Sequence, residues 1–292
     1  MATAVQSTQT PCLICDAENP RNQVQCRQCS APMALVHNTI GQERPPCLVS
    51  ILGDSNVGKT VYLGFLLDML SQRANLFEAV PKGAYSVDLQ QTVISHLAWR
   101  MFPPKTPVEA NQWNWSYYEV RKHGGPERWI DLVTPDMAGE AIAAEVASPT
   151  TFRIIQNLLL KSRGLMLLVD AALAANGSAQ PDFFALKMLS HIDTMIVAKR
   201  GKKVDTPVAV LLTKCDYVPA AFDDPRRFAQ SNLNRLWNMC ESRFANVEFF
   251  ATSVVGSIAF ATSDEDGLVT PVPLHTALRG ILEPFEWIVE QL

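Results

Sequence analysis

From Cys47 to the end of the chain, short apolar runs alternate with amphipathic stretches; the first 46 residues lack this rhythm. Continuous apolar runs of this length, bounded by breakers, predict buried strands at CLVSILG (47–53), NWSYYEV (114–120), RWIDLVT (128–134), GLMLLVD (164–170), PVAVLLT (207–213) and VEFFAT (247–252). Over 59–72, 85–101, 138–161, 182–199, 225–243 and 274–291, apolar residues recur three and four apart, the spacing of one helix face. Strands that alternate with helices predict an α/β fold: a six-stranded, mainly parallel sheet with helices on both faces. The HGGPE segment (123–127) is too short for a crossover helix, so the strands on either side of it are expected to pair antiparallel. Loops carry the usual breakers, as in AANGSAQP (174–181) and DTP (205–207), and no internal repeat stands out.

The front of the chain divides differently. Residues 1–10 are polar and read as a flexible tail, 11–36 hold two Cys-x-x-Cys units, and 37–46 (HNTIGQERPP) read as a linker to a domain over 47–292. With 48% hydrophobic and 18% charged residues the chain has the composition of a folded protein, not a disordered one. A net charge of -4 argues against a surface built to hold extended nucleic acid, and the basic cluster Lys199, Arg200, Lys202 and Lys203 is short. No apolar stretch is long enough for a transmembrane segment, and the first residues lack a signal-peptide pattern, so a cytoplasmic location is expected.

The chemistry is concentrated where the first strand meets the first helix. Gly53, Asp54, Ser55, Asn56, Val57, Gly58, Lys59 and Thr60 form Gly-x-x-x-x-Gly-Lys-Thr between the two, which is the context a phosphate-binding P-loop requires. Glycines let successive N–H groups turn inward around a phosphate at the positive end of the helix. Lys59 can bridge the β and γ phosphates and the Thr60 hydroxyl can bind Mg²⁺. The fold class is thus a P-loop NTPase.

Thr213-Lys214-Cys215-Asp216 follows the strand PVAVLLT, at the carboxyl edge where open α/β sheets bind ligands. It resembles the (Asn/Thr)-Lys-x-Asp guanine-recognition element of Ras-like and translation-factor-class (TRAFAC) GTPases. The resemblance implies that the Asp216 carboxylate accepts from the guanine ring N–H and amine, that Lys214 lies along the base, and that the ligand is GTP or GDP. Asp136-Met137-Ala138-Gly139-Glu140 looks like the Asp-x-x-Gly segment of the same families, in which the Asp holds Mg²⁺ and the Gly N–H meets the γ-phosphate. Asp131 competes as the carboxylate but lacks the following Gly. Glu140 stands where these proteins often carry a water-orienting glutamine; it can accept from water but cannot donate to phosphate, so hydrolysis is expected to be slow or partner-stimulated. Ser253 and Val254 occupy the place of the last base-contacting turn.

Between Thr60 and Asp136 lie more residues than the Ras-like plan needs, so an insertion with a helix and a Pro-rich turn, MFPPKTP, is expected over 73–112. The first-switch threonine of the family then corresponds best to Thr106, with Thr92 poorly placed in a helix. Trp113, Trp115 and Tyr117 share one face, either as an effector patch or packed against a covering helix. The five histidines show no ligand spacing, and SDEDG (263–267) reads as an acidic turn.

Cys12-x-x-Cys15 and Cys26-x-x-Cys29 are separated by ten residues, a spacing that suits four thiolates around a tetrahedral, structural Zn²⁺. The segment resembles bacterial zinc ribbons; it also has the spacing of Ran-binding-protein-type fingers, but Thr10 replaces their usual Trp. The whole plan resembles bacterial GTPases of multi-component, double-GTPase-like systems. It implies a GTP-binding switch with an effector or activating protein as partner. A nucleotide-binding pseudo-GTPase scaffold and an ATP-dependent P-loop enzyme are the alternatives.

Overall fold

The computed structural model describes residues 9–39, 46–72, 77–123, 129–196, 202–262 and 269–292. The cysteine segment forms a small antiparallel pair, β1 (Gln9–Pro11) and β2 (Glu18–Pro20), followed by a single helical turn, α1 (Ala34–His37). Among the described residues the main sheet has seven strands: β3 (Cys47–Gly53), β4 (Phe77–Pro81), β5 (Trp115–Lys122), β6 (Ile130–Pro135), β7 (Ser162–Asp170), β8 (Val208–Thr213) and β9 (Val247–Ala251). They lie in the order β4-β5-β6-β3-β7-β8-β9. β5 runs against both of its neighbours, while β6, β3, β7, β8 and β9 are mutually parallel. The expected antiparallel strand is thus present; residues 124–128, most of the connection from which it was inferred, lie outside the described residues.

Alternation along the central strands divides the interior in two. Leu48 and Leu52 of β3 join Leu165 and Leu167 of β7 and Val208 and Val210 of β8 in one core. Val49 and Ile51 join Met166, Leu168, Ala209 and Leu211 in the other. Ser50, which also falls among the buried positions, is satisfied by the Ser162 hydroxyl at 2.7 Å.

The Val49 face is covered by α2 (Lys59–Ser71) and α3 (Tyr85–Ala98), through Leu63, Leu66, Leu67, Leu89 and Val93, and by a C-terminal helix that contributes Phe285 and Ile288. The Leu48 face is covered by α4 (Gly139–Ala147), α5 (Arg153–Lys161), the short α6 (Ala171–Ala175), α7 (Gln180–Ile196), α8 (Ala220–Asp223), α9 (Pro225–Asn232) and α10 (Asn234–Arg243). Cys12, Ile14, Met33 and Leu35 of the cysteine module belong to this same core, together with Trp113, Trp115 and Tyr117. Those aromatics are buried, so they form no exposed effector patch.

The structure departs from the sequence expectations at several elements. β4 falls inside the segment expected to be helical and turn; FEAVP is a short edge strand ending at Pro81, buried at Phe77, Glu78 and Ala79 and exposed at its last two residues. The helix expected over 138–161 is two helices, because the Glu145 carboxylate takes the Thr150 and Phe152 N–H groups and stabilises a break there. The helix expected over 225–243 also breaks, at Leu233, and the Asp182 carboxylate of α7 accepts from Leu236 N at 2.8 Å, capping α10 across the fold. The helix expected over 274–291 is strand up to Arg279 and helical only from Glu283. β10 (Ser253–Thr262) and β11 (Val269–Arg279) form a separate antiparallel ribbon, and the last helix, α11, covers only Glu283–Glu290. Pro271 and Pro273 in β11 are tolerated because a two-stranded ribbon leaves outward positions without a ladder bond. Residues 263–267, the expected acidic turn, and Lys199 and Arg200 lie outside the described residues.

Candidate functional site

Beyond the carboxyl ends of β3, β6 and β8 lies a cleft of about 670 Å³ lined by residues of the phosphate loop, of 102–106, of 137–140 and of 213–217. Gly53 ends β3 and Gly58 adopts a left-handed φ of 96°, after which α2 begins with no side chain capping its first N–H groups. The free amide end of α2 therefore faces the loop, a local arrangement that favours an anion. Lys59 is buried, and its ammonium donates to Gly53 O at 3.0 Å and Asp54 O at 2.7 Å. Burial pushes its pKa down to about 8, against the opposing pull of the Asp136, Glu140 and Asp54 carboxylates. Asp54 is fixed in turn by Ser55 N at 2.7 Å and the Gln180 amide at 3.0 Å.

At the start of α2 three oxygen-bearing side chains converge. The Thr60 hydroxyl lies 3.1 Å from both carboxylate oxygens of Asp136, the Thr106 hydroxyl donates to Asp136 Oδ2 at 2.7 Å, and the two hydroxyls are 3.0 Å apart. Burial raises the Asp136 carboxyl above its ordinary value, while the Thr106 and Thr60 hydroxyls and the Lys59 charge lower it. A compact set of hard oxygen donors around a buried carboxylate fits Mg²⁺. Asp131 is directed elsewhere, accepting from Tyr117 OH at 3.0 Å, and Thr92 sits within α3. Gly139 opens α4, and beside it Glu140 accepts from the Ser55 hydroxyl at 2.7 Å.

The other end of the cleft is built on the β8 terminus. Lys214 takes a left-handed φ of 58° and pairs with Asp170, the last residue of β7. Asp216 accepts from the Ser253 hydroxyl at 3.0 Å, and Thr213, Ser253 and Val254 line the same cleft. Cys215 points inward, its thiol donating to Leu212 O.

The four thiols Cys12, Cys15, Cys26 and Cys29 have all their sulfurs within 4.8 Å of one another. The Cys12–Cys29 and Cys15–Cys26 separations are 3.6 and 3.5 Å, near the roughly 3.8 Å edge of a tetrahedron with Zn–S of about 2.3 Å. Ile14 N and Gln28 N point at the Cys12 and Cys26 sulfurs, as does the Asn19 amide at Cys26, and these donors would stabilise thiolates. The cluster fits a closed tetrahedral metal site.

Residues 50–190 match the sequence model of a family described as double-GTPase 1. The matched span takes in most of the phosphate loop strand, Thr106 and the Asp136–Glu140 segment, and stops short of Lys214. Over that span, just under half of the chain, the sequence is similar to this GTPase family. No curated protein sequence matches it. Among solved structures the chain is similar to the Arl6 BBS3 small GTPase of Trypanosoma brucei, with 14% identity and a TM-score of 0.43 over 84% of this chain and 96% of that one. It is also similar to the Ski7 GTPase-like domain of S. cerevisiae, with 18% identity and a TM-score of 0.42 over 75% of this chain and 45% of that one. A third similarity is to the signal recognition particle receptor SRb-GTP/SRX complex of Chaetomium thermophilum, with 15% identity and a TM-score of 0.37 over 73% and 93%.

Several residues in or beside the cleft escaped the sequence analysis. Asp170 holds Lys214, and its position at the end of β7, on the carboxyl edge of the sheet, was the available signal. Lys105 pairs with Glu140 at 3.5 Å, and Ile258 and Pro271 of the β10–β11 ribbon wall the cleft; no local pattern marks these.

Proposed function

We propose that the chain is a guanine-nucleotide-dependent switch that binds GTP and GDP with Mg²⁺, and that its cysteine module holds a structural Zn²⁺. One observation carries the reading: a single cleft has a phosphate loop and an Mg²⁺-type donor set at one end and Lys214 with Asp216 at the other. Asp216 would pair with guanine and leave adenine with mismatched partners. Lys59 would exchange its loop carbonyls for the β and γ phosphate oxygens, and the Gly139 N–H would meet the γ-phosphate. Thr60, Thr106 and Asp136 would hold Mg²⁺, directly or through water, and the ion would neutralise charge on the phosphate oxygens. When the γ-phosphate leaves, the segments around Thr106 and Asp136 lose their common anchor and are free to rearrange.

In this reading residues 11–36 are a zinc ribbon, 37–46 a linker and 47–292 the GTPase domain, and the location is cytoplasmic. Among the described residues no helix is long and apolar enough to cross a membrane. The effector or activating protein would dock where the cysteine module and the mobile segments meet the surface. Glu140 favours slow or partner-stimulated hydrolysis, because a carboxylate can accept from water but repels phosphate oxygens. The same residue favours a second reading, a scaffold that binds nucleotide without turning it over.

Identification of the nucleotide carried by the purified protein tests the proposal. Guanine nucleotide in the bound fraction is expected, and adenine nucleotide alone would overturn it in favour of an ATP-dependent enzyme. Phosphate release with GTP, measured alone and with candidate partners, separates switch from scaffold.

A further inference from the structure

The mouth of the cleft is held by one carboxylate oxygen. Glu140 Oε1 accepts from the Ser55 hydroxyl of the phosphate loop at 2.7 Å and pairs with Lys105 Nζ at 3.5 Å. Three segments meet there: the loop before α2, the segment that ends in Thr106, and the start of α4. Of the three lysines among the described residues that line the cleft, Lys59 is buried on two loop carbonyls and Lys214 is held by Asp170. Lys105 differs: its side chain is 69% exposed, and Glu140, 43% exposed, is its ion-pair partner.

Charge makes that pairing provisional. Glu140 is kept ionised chiefly by the Ser55 hydroxyl, with its own backbone N–H and Lys105 adding to the effect. A terminal phosphate entering beside Gly139 would bring more negative charge toward this carboxylate. A lysine on a flexible stem can turn from a single carboxylate to a phosphate. A diphosphate would leave the Glu140–Lys105 pair in place.

We propose that Lys105 is a further residue by which this chain distinguishes a nucleoside triphosphate from a diphosphate, leaving Glu140 for the terminal phosphate. The proposal rests on the cleft holding guanine nucleotide. It predicts that Lys105 determines specificity toward phosphate number and has little part in base selection.

Affinities of the full chain for fluorescent GDP and for fluorescent GppNHp, a triphosphate analogue that resists hydrolysis, test it at fixed Mg²⁺. Lys105→Ala should weaken GppNHp about tenfold, the loss of one charge-assisted phosphate contact, and weaken GDP by at most about twofold. Lys105→Arg should retain most of the preference, and Glu140→Gln should tighten GppNHp by removing the competing charge. The pair is exposed, so the melting temperature of each variant should stay near that of the wild type. Equal losses for both nucleotides in Lys105→Ala, or no loss for either, would overturn the proposal while leaving guanine binding intact. A wild-type chain that binds neither nucleotide would instead remove the reading on which it rests.

Discussion

At Gly139 there is no room for a side chain. A Cβ would lie 2.4 Å from Ser55 N and 2.6 Å from the Asp54 carbonyl carbon, so α4 touches the phosphate loop through bare backbone. Gly139→Ala must push the two apart, at a cost of about 1–3 kcal/mol for a crowded interior. A fall in melting temperature of about 2–10 °C is expected, together with weaker nucleotide binding; calorimetry and titration of fluorescent GDP check both. The phosphate loop was legible in the sequence because its residues are contiguous and its glycines, lysine and threonine have a fixed spacing. Asp136 was preferred to Asp131 for the glycine that follows it and Thr106 to Thr92 for its place outside a helix, and the structure brings Thr106 and Asp136 together. Asp170 and Lys105 were not legible: each matters only through a partner on another segment, Lys214 and Glu140.

Elements bear out the same division between local and tertiary causes. The central strands announced themselves as apolar runs, but the break between α4 and α5 depends on Glu145, a wholly buried carboxylate that looks in sequence like any exposed helix residue. It accepts from Thr150 N at 2.9 Å, Phe152 N at 2.6 Å and the Gln156 amide at 2.8 Å. Glu145→Ala would take away the acceptor these partly buried donors share, a loss of about 1–3 kcal/mol. Denaturant unfolding should show that loss, with Glu145→Gln losing less because one acceptor oxygen remains. The β10–β11 ribbon was missed because Ser, Thr and Pro interrupt its alternation, and because a helical period can be fitted to its second strand. The β4 edge strand is too short to be distinguished from a loop.

At the scale of the whole molecule, the cysteine module and the sheet are one packing unit. Cys12, Ile14, Met33 and Leu35 share a core with Trp113 and Trp115, the Gln25 amide donates to Asn111 O at 3.0 Å, and Lys161 reaches Leu13 O and Asp16. Such a module would draw most of its folding free energy from metal, so removal of Zn²⁺ should lower the melting temperature of the entire chain. Calorimetry with and without a chelator checks this; a main transition that does not move would contradict it. The central claim, that this cleft selects guanine through Asp216, is tested most directly by Asp216→Asn. Competition between guanosine and xanthosine triphosphates for the wild-type and variant proteins is the measurement. The wild type should prefer GTP, and the variant, which offers an N–H donor where the exocyclic amine of guanine needs an acceptor, should lose GTP affinity and gain affinity for the xanthosine nucleotide. A variant that keeps the wild-type preference would contradict it.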